Sequence, residues 1–386
     1  MTNTTSLHHY LKGLIKHQGA MNIADYMELC LTHPQYGYYN QSEPIGRKGD
    51  FITAPEISQM FGEIIGLWVA NIWHNMGKPT KLHLVELGGG YGTLMADMLR
   101  AQKIVPELHQ ALNIHMIEVS LKLQEKQKQA IAPAALNLPI CWHRDLSNLP
   151  NDAPIIFIGN EFFDALPVHH LQKKNDLWFE RRVAMDDKDN LIYTLSDSSL
   201  NPPATHMAAE QAKDGDIIEF SPLALTIINQ ISERIKNQQG AALFVDYGYA
   251  FPHIGETLQA IKEHQFADPL TDFGQCDLSA HVDFGALAQA AYDPEVKILP
   301  LLSQAMFLNS LGIKERADML CKNAPAELTN IIQDQLERLT DSSNEKSMGN
   351  LFKVFMMGHR NIPMPFDQQD DIWGKVPEFG DNDESD

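Results

Sequence analysis

Two clusters in this chain of 386 residues combine residue types and spacings that could do chemistry. The first is Glu86-Leu87-Gly88-Gly89-Gly90-Tyr91-Gly92. Glycines at alternate positions, Gly88, Gly90 and Gly92, let the backbone approach a ligand with no side chain between them. A carboxylate at Glu86 suits a ligand bearing an amine or hydroxyls and is a poor neighbour for phosphate. The second cluster is Asn160-Glu161-Phe162-Phe163-Asp164-Ala165-Leu166-Pro167. Carboxylates such as Glu161 and Asp164 can take the donors of a planar cation bidentately and fix its orientation. Three residues apart, the two would share one face if the segment opens a helix. Phe162 and Phe163 could wall a pocket or meet a cation with their ring faces. A plain strand-to-helix junction with buried phenylalanines accounts for the same residues without any function.

The elements that must position these groups are legible from periodicity. Leu82, Leu84 and Val85 form an apolar run ending in Glu86, and Leu94, Met95, Met98 and Leu99 recur at helical spacing after the glycines. Asn113–Ile117 reads as a second strand closing on Glu118, 139–143 as a third followed by Asp145, Ile155–Ile158 as a fourth running into Asn160 and Glu161, and Ala241–Val245 as a fifth ending on Asp246. Strands separated by helix-length segments imply a mostly parallel sheet covered on both faces, with ligands bound outside the carboxyl ends of the strands. Five acids, Glu86, Glu118, Asp145, Glu161 and Asp246, thus point toward one crevice. Each also has a structural reading. Glu118 suits two ribose hydroxyls or caps the next helix; Asp145 accepts from an adenine amino group or is an N-cap; Asp246 meets substrate or braces a turn. Upstream, Leu7 to Ile15 and Ile23 to Leu31 sketch two helices, and Thr53-Ala54-Pro55-Glu56 has the form of a capping box opening a third, whose stripe runs from Ile57 to Ile72.

Composition narrows the classes. The net charge of −20, from 30 basic and 50 acidic residues, disfavours nucleic acid and anionic membrane and is compatible with a basic protein partner. Four scattered cysteines without C-x-x-C spacing point to a reducing compartment and away from a zinc site. No run reaches transmembrane length and no signal-peptide core or clear transit peptide is seen, so a cytoplasmic protein is expected. Sixteen histidines show no ligand spacing, so no metal is expected; the pairs His8-His9 and His169-His170 point apart, and His281 either borders the acceptor pocket or is structural. The expected organisation is an N-terminal helical segment over 1–75, a core over 76–360 with insertions near 170–215 and 250–310, and a tail over 361–386 whose acidic end is expected to be disordered. Oligomeric state is not legible.

A dinucleotide fingerprint starting at Gly88 and Gly90 would need its third small residue where Thr93 stands. Glu-x-Gly-x-Gly-x-Gly instead resembles the first motif of S-adenosylmethionine-dependent methyltransferases with a Rossmann-like core. Longer stretches resemble the MidA-like methyltransferases: Gly49-Asp50-Phe51-Ile52-Thr53-Ala54-Pro55-Glu56, Glu118-Val119-Ser120, Asn160 to Pro167, Asp246-Tyr247-Gly248, Asp277 to Phe284, Phe307 to Gly312 and Met348 to Val354. The resemblance is collinear over roughly residues 10 to 360. It implies an α/β fold with a mostly parallel seven-stranded sheet, extended by N-terminal helices and substrate-side insertions. It implies S-adenosyl-L-methionine as cofactor, held by Glu86, Gly88, Gly90, Gly92, Glu118 and Asp145. Asn160, Glu161 and Asp164 would orient the acceptor, with Phe162, Phe163, Asp246 and His281 around it. Mitochondrial members resemble protein arginine methyltransferases acting in respiratory complex I assembly, which implies a protein substrate presenting a basic residue. The family usually carries arginine where this chain has Tyr91. A non-catalytic assembly factor that keeps the cofactor pocket, and a nicotinamide dehydrogenase, stand as alternatives.

Overall fold

The structure is a computed structural model that describes residues 4–41, 53–203, 206–251, 253–271 and 273–367. The Gly49–Ile52 part of the family-like signature and the acidic tail at 380–386 lie outside the described residues. The main sheet contains β1 (Leu82–Leu87), β2 (Leu112–Ile117), β3 (Ile140–His143), β4 (Ile155–Asn160), β5 (Ala241–Tyr249), β6 (Val296–Ile298) and β7 (Phe352–His359), in the order β6-β7-β5-β4-β1-β2-β3. The pairings from β5 through β4, β1 and β2 to β3 are parallel, and β7 runs antiparallel to β5 and β6. From β1 the chain winds outward through β2 and β3, then returns to the other side of β1 as β4 and β5. That reversal opens a crevice at the carboxyl ends of β1 and β4.

Alternation along the central strands sends apolar side chains to both faces. Leu82, Leu84, Ile114, Met116, Ile156, Ile158, Leu243 and Val245 pack with α3 (Gln59–Asn75) and α4 (Thr93–Gln102) in one core. Val85, Leu87, Ile155, Phe157, Ala242 and Phe244 pack with Ile228, Ile231 and Ile235 of α6 (Pro222–Gln238) in a second. A third core lies off the main sheet. In it α1 (Thr4–Gln18) and α2 (Ile23–Thr32) bury Leu11, Tyr26 and Met27 against Val183, Leu191, Ala260 and Leu278 of two smaller sheets. One of these sheets is formed by Met21–Asn22 and strands between His169 and Phe220, the other by strands between Gln259 and Ser279.

Four local expectations are corrected. The stripe from Ile57 to Ile72 is not one helix: a turn over Ala54–Ile57 ends at extended Ser58, whose hydroxyl accepts the Met60 N–H and caps α3. Thr53 makes no side-chain cap, and Glu56 instead accepts the Thr93 hydroxyl at 2.5 Å, tying that turn to the start of α4. Asp246 is not a strand end, because β5 continues to Tyr249. Glu161 to Leu166 form a turn rather than the start of a helix, so Glu161 and Asp164 do not share a helical face.

Candidate active site

The glycine turn takes the shape its glycines permit. Gly88, Gly90 and Gly92 have φ of +64°, +51° and +87°, in the left-handed region that favours glycine. A Cβ on Gly88 would stand 2.9 Å from the Phe162 ring, and one on Gly92 would stand 2.9 Å from the Gln127 Cα. Glu86 lies beneath this turn and not on the crevice wall. It is 2% exposed, accepts the Met95 N–H of α4's first turn, and has one carboxyl oxygen without a partner. Burial, with Glu118 nearby, pushes its carboxyl up to about 8.

Glu118 does reach the crevice, at the end of β2. Its carboxyl accepts the Ser120 N–H at 2.8 Å and the Gln127 side-chain amide at 3.1 Å, and burial pushes it up to about 7. The capping and ligand readings of Glu118 are therefore compatible, since a carboxylate offers about four acceptor sites. Ser120 caps α5 (Leu121–Ala135) and also donates to Asn40 at 2.9 Å, which brings the N-terminal segment to the rim. Gln127 was not singled out from sequence. Fully buried, it donates to the Gly90 carbonyl at 3.1 Å as well as to Glu118, and accepts from Trp142 at 2.9 Å. Its signal was present: a polar residue in phase with Leu123 and Ile131 on the buried stripe of α5. Tyr91 faces α5, with the Lys126 ammonium 4.1 Å from its ring centroid, so a cation stands beside this position of the turn. Asp145 lines the crevice, and its carboxylate is held below the usual range by the hydroxyl and N–H of Ser147.

The opposite wall is the Asn160 to Pro167 turn. Glu161 has a φ of +53°, a conformation that costs a non-glycine residue about 1 kcal/mol. Its carboxyl lines the crevice and accepts the Asn160 amide at 3.0 Å and the Ala54 N–H. Burial and the neighbouring Asp164 push it up to about 8. Phe162 also lines the crevice, packed over Gly88, while Phe163 is buried edge-on to Phe244 at 4.9 Å. Asp164 and Asp246 lie behind the turn. Asp164 is bonded by the Tyr247 hydroxyl and pushed up to about 6 by burial. Asp246 is pushed well above the carboxylate range by burial and by Asp164. His281 is set apart: it lines a separate cavity of about 50 Å³ with Glu219 and Tyr249, and its ring meets that of Tyr247 at 5.4 Å. The structure thus brings Gly88, Gly90, Glu118, Asp145, Glu161 and Phe162 into one crevice and places Glu86, Gly92, Asn160, Phe163, Asp164, Asp246 and His281 off its lining.

The crevice holds about 1540 Å³ and reaches from Glu28 and Tyr39 across the strand ends to α6. Ligand pockets span roughly 300–1,000 Å³, so there is room for a nucleoside-bearing cofactor and a second molecule. A family model described as an S-adenosyl-L-methionine-dependent methyltransferase matches residues 64–300. The chain belongs to this family. It is 34% identical over 380 residues to a Xenopus laevis protein named protein arginine methyltransferase NDUFAF7, mitochondrial, covering 92% of this chain and 84% of that one. The Homo sapiens protein of the same name is 35% identical over 386 residues, covering 93% and 85%. A crystal structure of a COG1565 superfamily member from Burkholderia thailandensis bound to S-adenosyl-homocysteine superposes with a TM-score of 0.80 at 27% identity, covering 94% of both chains. The family sets aside the nicotinamide alternative and makes S-adenosylmethionine the cofactor. Among the described residues no group of His, Cys, Asp or Glu is arranged to hold a metal, and no helix is long and apolar enough to cross a membrane.

Proposed function

We propose that this methyltransferase transfers the methyl group to the guanidinium of an arginine side chain in a protein substrate. The observation that carries this reading is Glu161. It meets the crevice beside the glycine turn, half-buried and backed by Asp164 and Asp246, and its own carboxyl has neutral partners, the Asn160 amide and the Ala54 N–H. A carboxyl whose own partners are neutral is complementary to a ligand that brings a cation. The relatives named as protein arginine methyltransferases support the same acceptor. Four cysteines joined by no disulfide support a reducing compartment such as the cytoplasm.

The glycine turn fits the cofactor. Gly88 and Gly90 expose backbone to the crevice, Glu118 offers its remaining acceptor sites to ribose hydroxyls, and Asp145 stands where an adenine amino group could donate. Glu86 shapes the turn from beneath, and its unpartnered oxygen leaves an acceptor near the glycines. Bound there, S-adenosylmethionine supplies an electrophilic methyl on a sulfonium. Glu161 then takes guanidinium N–H donors and holds the planar group so that one nitrogen faces the methyl; positioning of this kind supplies much of the acceleration. Methylation of a guanidinium releases one proton; the arriving cation favours the ionised form of Glu161, and the carboxylate so held can take that proton.

The test is a lysate from cells lacking this protein, supplied with the purified chain and methyl-labelled cofactor. A discrete labelled protein band that hydrolyses to methylated arginine is expected; label on another residue type overturns the acceptor. Glu161→Ala should keep cofactor affinity and lose transfer on the order of a hundredfold. Gly90→Val should lose cofactor binding itself, because valine cannot adopt φ of +51° without strain.

A further inference from the structure

We propose that Asp246 is a positioning residue for methyl transfer: from the adjacent strand it grips the reversed turn that presents Glu161 to the crevice. The inference rests on the acceptor role assigned to Glu161 above. The geometry is a convergence of three successive backbone N–H groups on one strand. The Glu161 N–H donates to the Val245 carbonyl at 2.8 Å. The next two, from Phe162 and Phe163, both donate to a single Asp246 carboxylate oxygen at 3.1 and 2.9 Å. Consecutive N–H groups turned inward by a left-handed residue form a concavity that takes an acceptor oxygen, and here the Asp246 carboxyl supplies it from within the chain. Asp246 is 1% exposed and does not line the crevice, so it serves the turn and not the ligand.

Glycine is the residue that would adopt φ of +53° freely, yet the position carries glutamate. The backbone must therefore be held where the side chain is needed, and the Asp246 clamp does the holding. The same clamp orients Phe162, whose ring lies 2.9 Å from where a Gly88 Cβ would stand. One carboxylate thus sets the spacing between the acceptor wall and the glycine turn. A helix start, the alternative expected for this segment, would have spread these N–H groups along an axis and left Asp246 with no such role.

The experiment uses the full chain, cofactor calorimetry, thermal unfolding, and the rate of labelling of the lysate band. Asp246→Ala is expected to bind cofactor nearly as wild type and to lose transfer on the order of a hundredfold, as an orienting group misplaced by about 1 Å does. Asp246→Asn keeps a carbonyl oxygen that can accept both N–H bonds, so it should recover much of the loss and covers the case in which the alanine variant fails to fold. Combined with Glu161→Gln, Asp246→Ala should add little, because it acts through the residue already removed. Multiplying losses in the double variant, or an asparagine variant that binds cofactor but is as slow as alanine, overturns the inference. Normal transfer by Glu161→Gln alone would instead remove the role assigned to Glu161, a distinguishable failure.

Discussion

Carboxyls whose pKa is raised chiefly by burial give this site its character, and their titration is linked to ligand binding. Glu118 and Glu86 are pushed up to about 7 and about 8, chiefly by burial. A positively charged ligand favours the ionised carboxylate, so the ionised fraction, and with it affinity, rises with pH through those values. Calorimetry should show S-adenosylmethionine binding tighter as pH climbs from 6 toward 8, by up to about tenfold per unit while a titrating group is below its pKa, with net proton release in the lower part of that range. Affinity independent of pH, or proton uptake, would show that neither carboxyl senses the ligand. The residue types were readable in the chain: Glu118, Glu161 and the glycines lie where strand-end reasoning puts them. What could not be read is which acid faces the ligand. Glu86 carries the same chemistry but lies under the glycine turn, and Asp164 and Asp246 lie behind a turn whose reversed φ at Glu161 no spacing announces.

At the scale of elements, the parallel order of the strands was legible from their apolar runs, and their register was not. The register joins three histidines that are far apart in the chain. With Val85 opposite His115 and Ile117 opposite His143, a line runs from Asp152 Oδ1 to His83 at 2.9 Å, from His83 to His115 at 3.0 Å, and from His115 to His143 at 3.0 Å. Asp152, held down at about 2 by Lys81 and His83, accepts only, so each neutral ring donates from Nε2 and accepts at Nδ1 down the line. Every ring nitrogen between Asp152 and His143 Nε2 is thereby used with no extra proton. Burial, followed by His83 and His143, lowers His115 to about 4. A histidine whose folded value is depressed binds its proton first in the unfolded chain, so its contribution is full above 6.5 and lost as pH falls toward 4. The limiting size is about 3 kcal/mol. The raised carboxyls of Glu86 and Glu161 act in the opposite sense, contributing most at low pH, so the difference between variants is the clean measurement. Urea unfolding of His115→Phe against wild type should show a stability gap that narrows by 1–3 kcal/mol, as roughly that limiting size allows, between about pH 7 and 5. A constant gap would mean that the line does not titrate on folding.

The whole molecule sets how an acceptor arrives. The net charge of −20 surrounds a crevice that carries Glu28, Glu118, Asp145, Glu161 and Glu233. Two arginines, Arg144 and Arg234, line it as well, but the Arg234 guanidinium is turned to the carbonyls of Leu146, Leu149 and Pro150. An acidic cleft raises the local concentration of a basic partner and speeds its encounter, an effect that salt screens over a Debye length of about 10 Å at 0.1 M. The three cores do not all surround that cleft. The main sheet positions the glycine turn and Glu161, while α2 on the outlying sheets contributes Glu28 and Leu31 to the rim. Charge excess was evident from composition alone; its meeting with the crevice required the fold, because Glu28 and Glu233 lie more than two hundred residues apart in the chain. Transfer into the labelled lysate protein at low acceptor concentration should therefore fall on the order of tenfold as salt rises from about 0.05 to 0.5 M. Cofactor binding at the site proposed on the glycine turn should change far less over the same range. Charge reversal at Glu233, on the exposed face of α6, should flatten the salt dependence of transfer and leave cofactor affinity alone. If transfer instead holds level with salt, the acceptor does not approach as a cation, and a neutral side chain takes the place of arginine at Glu161.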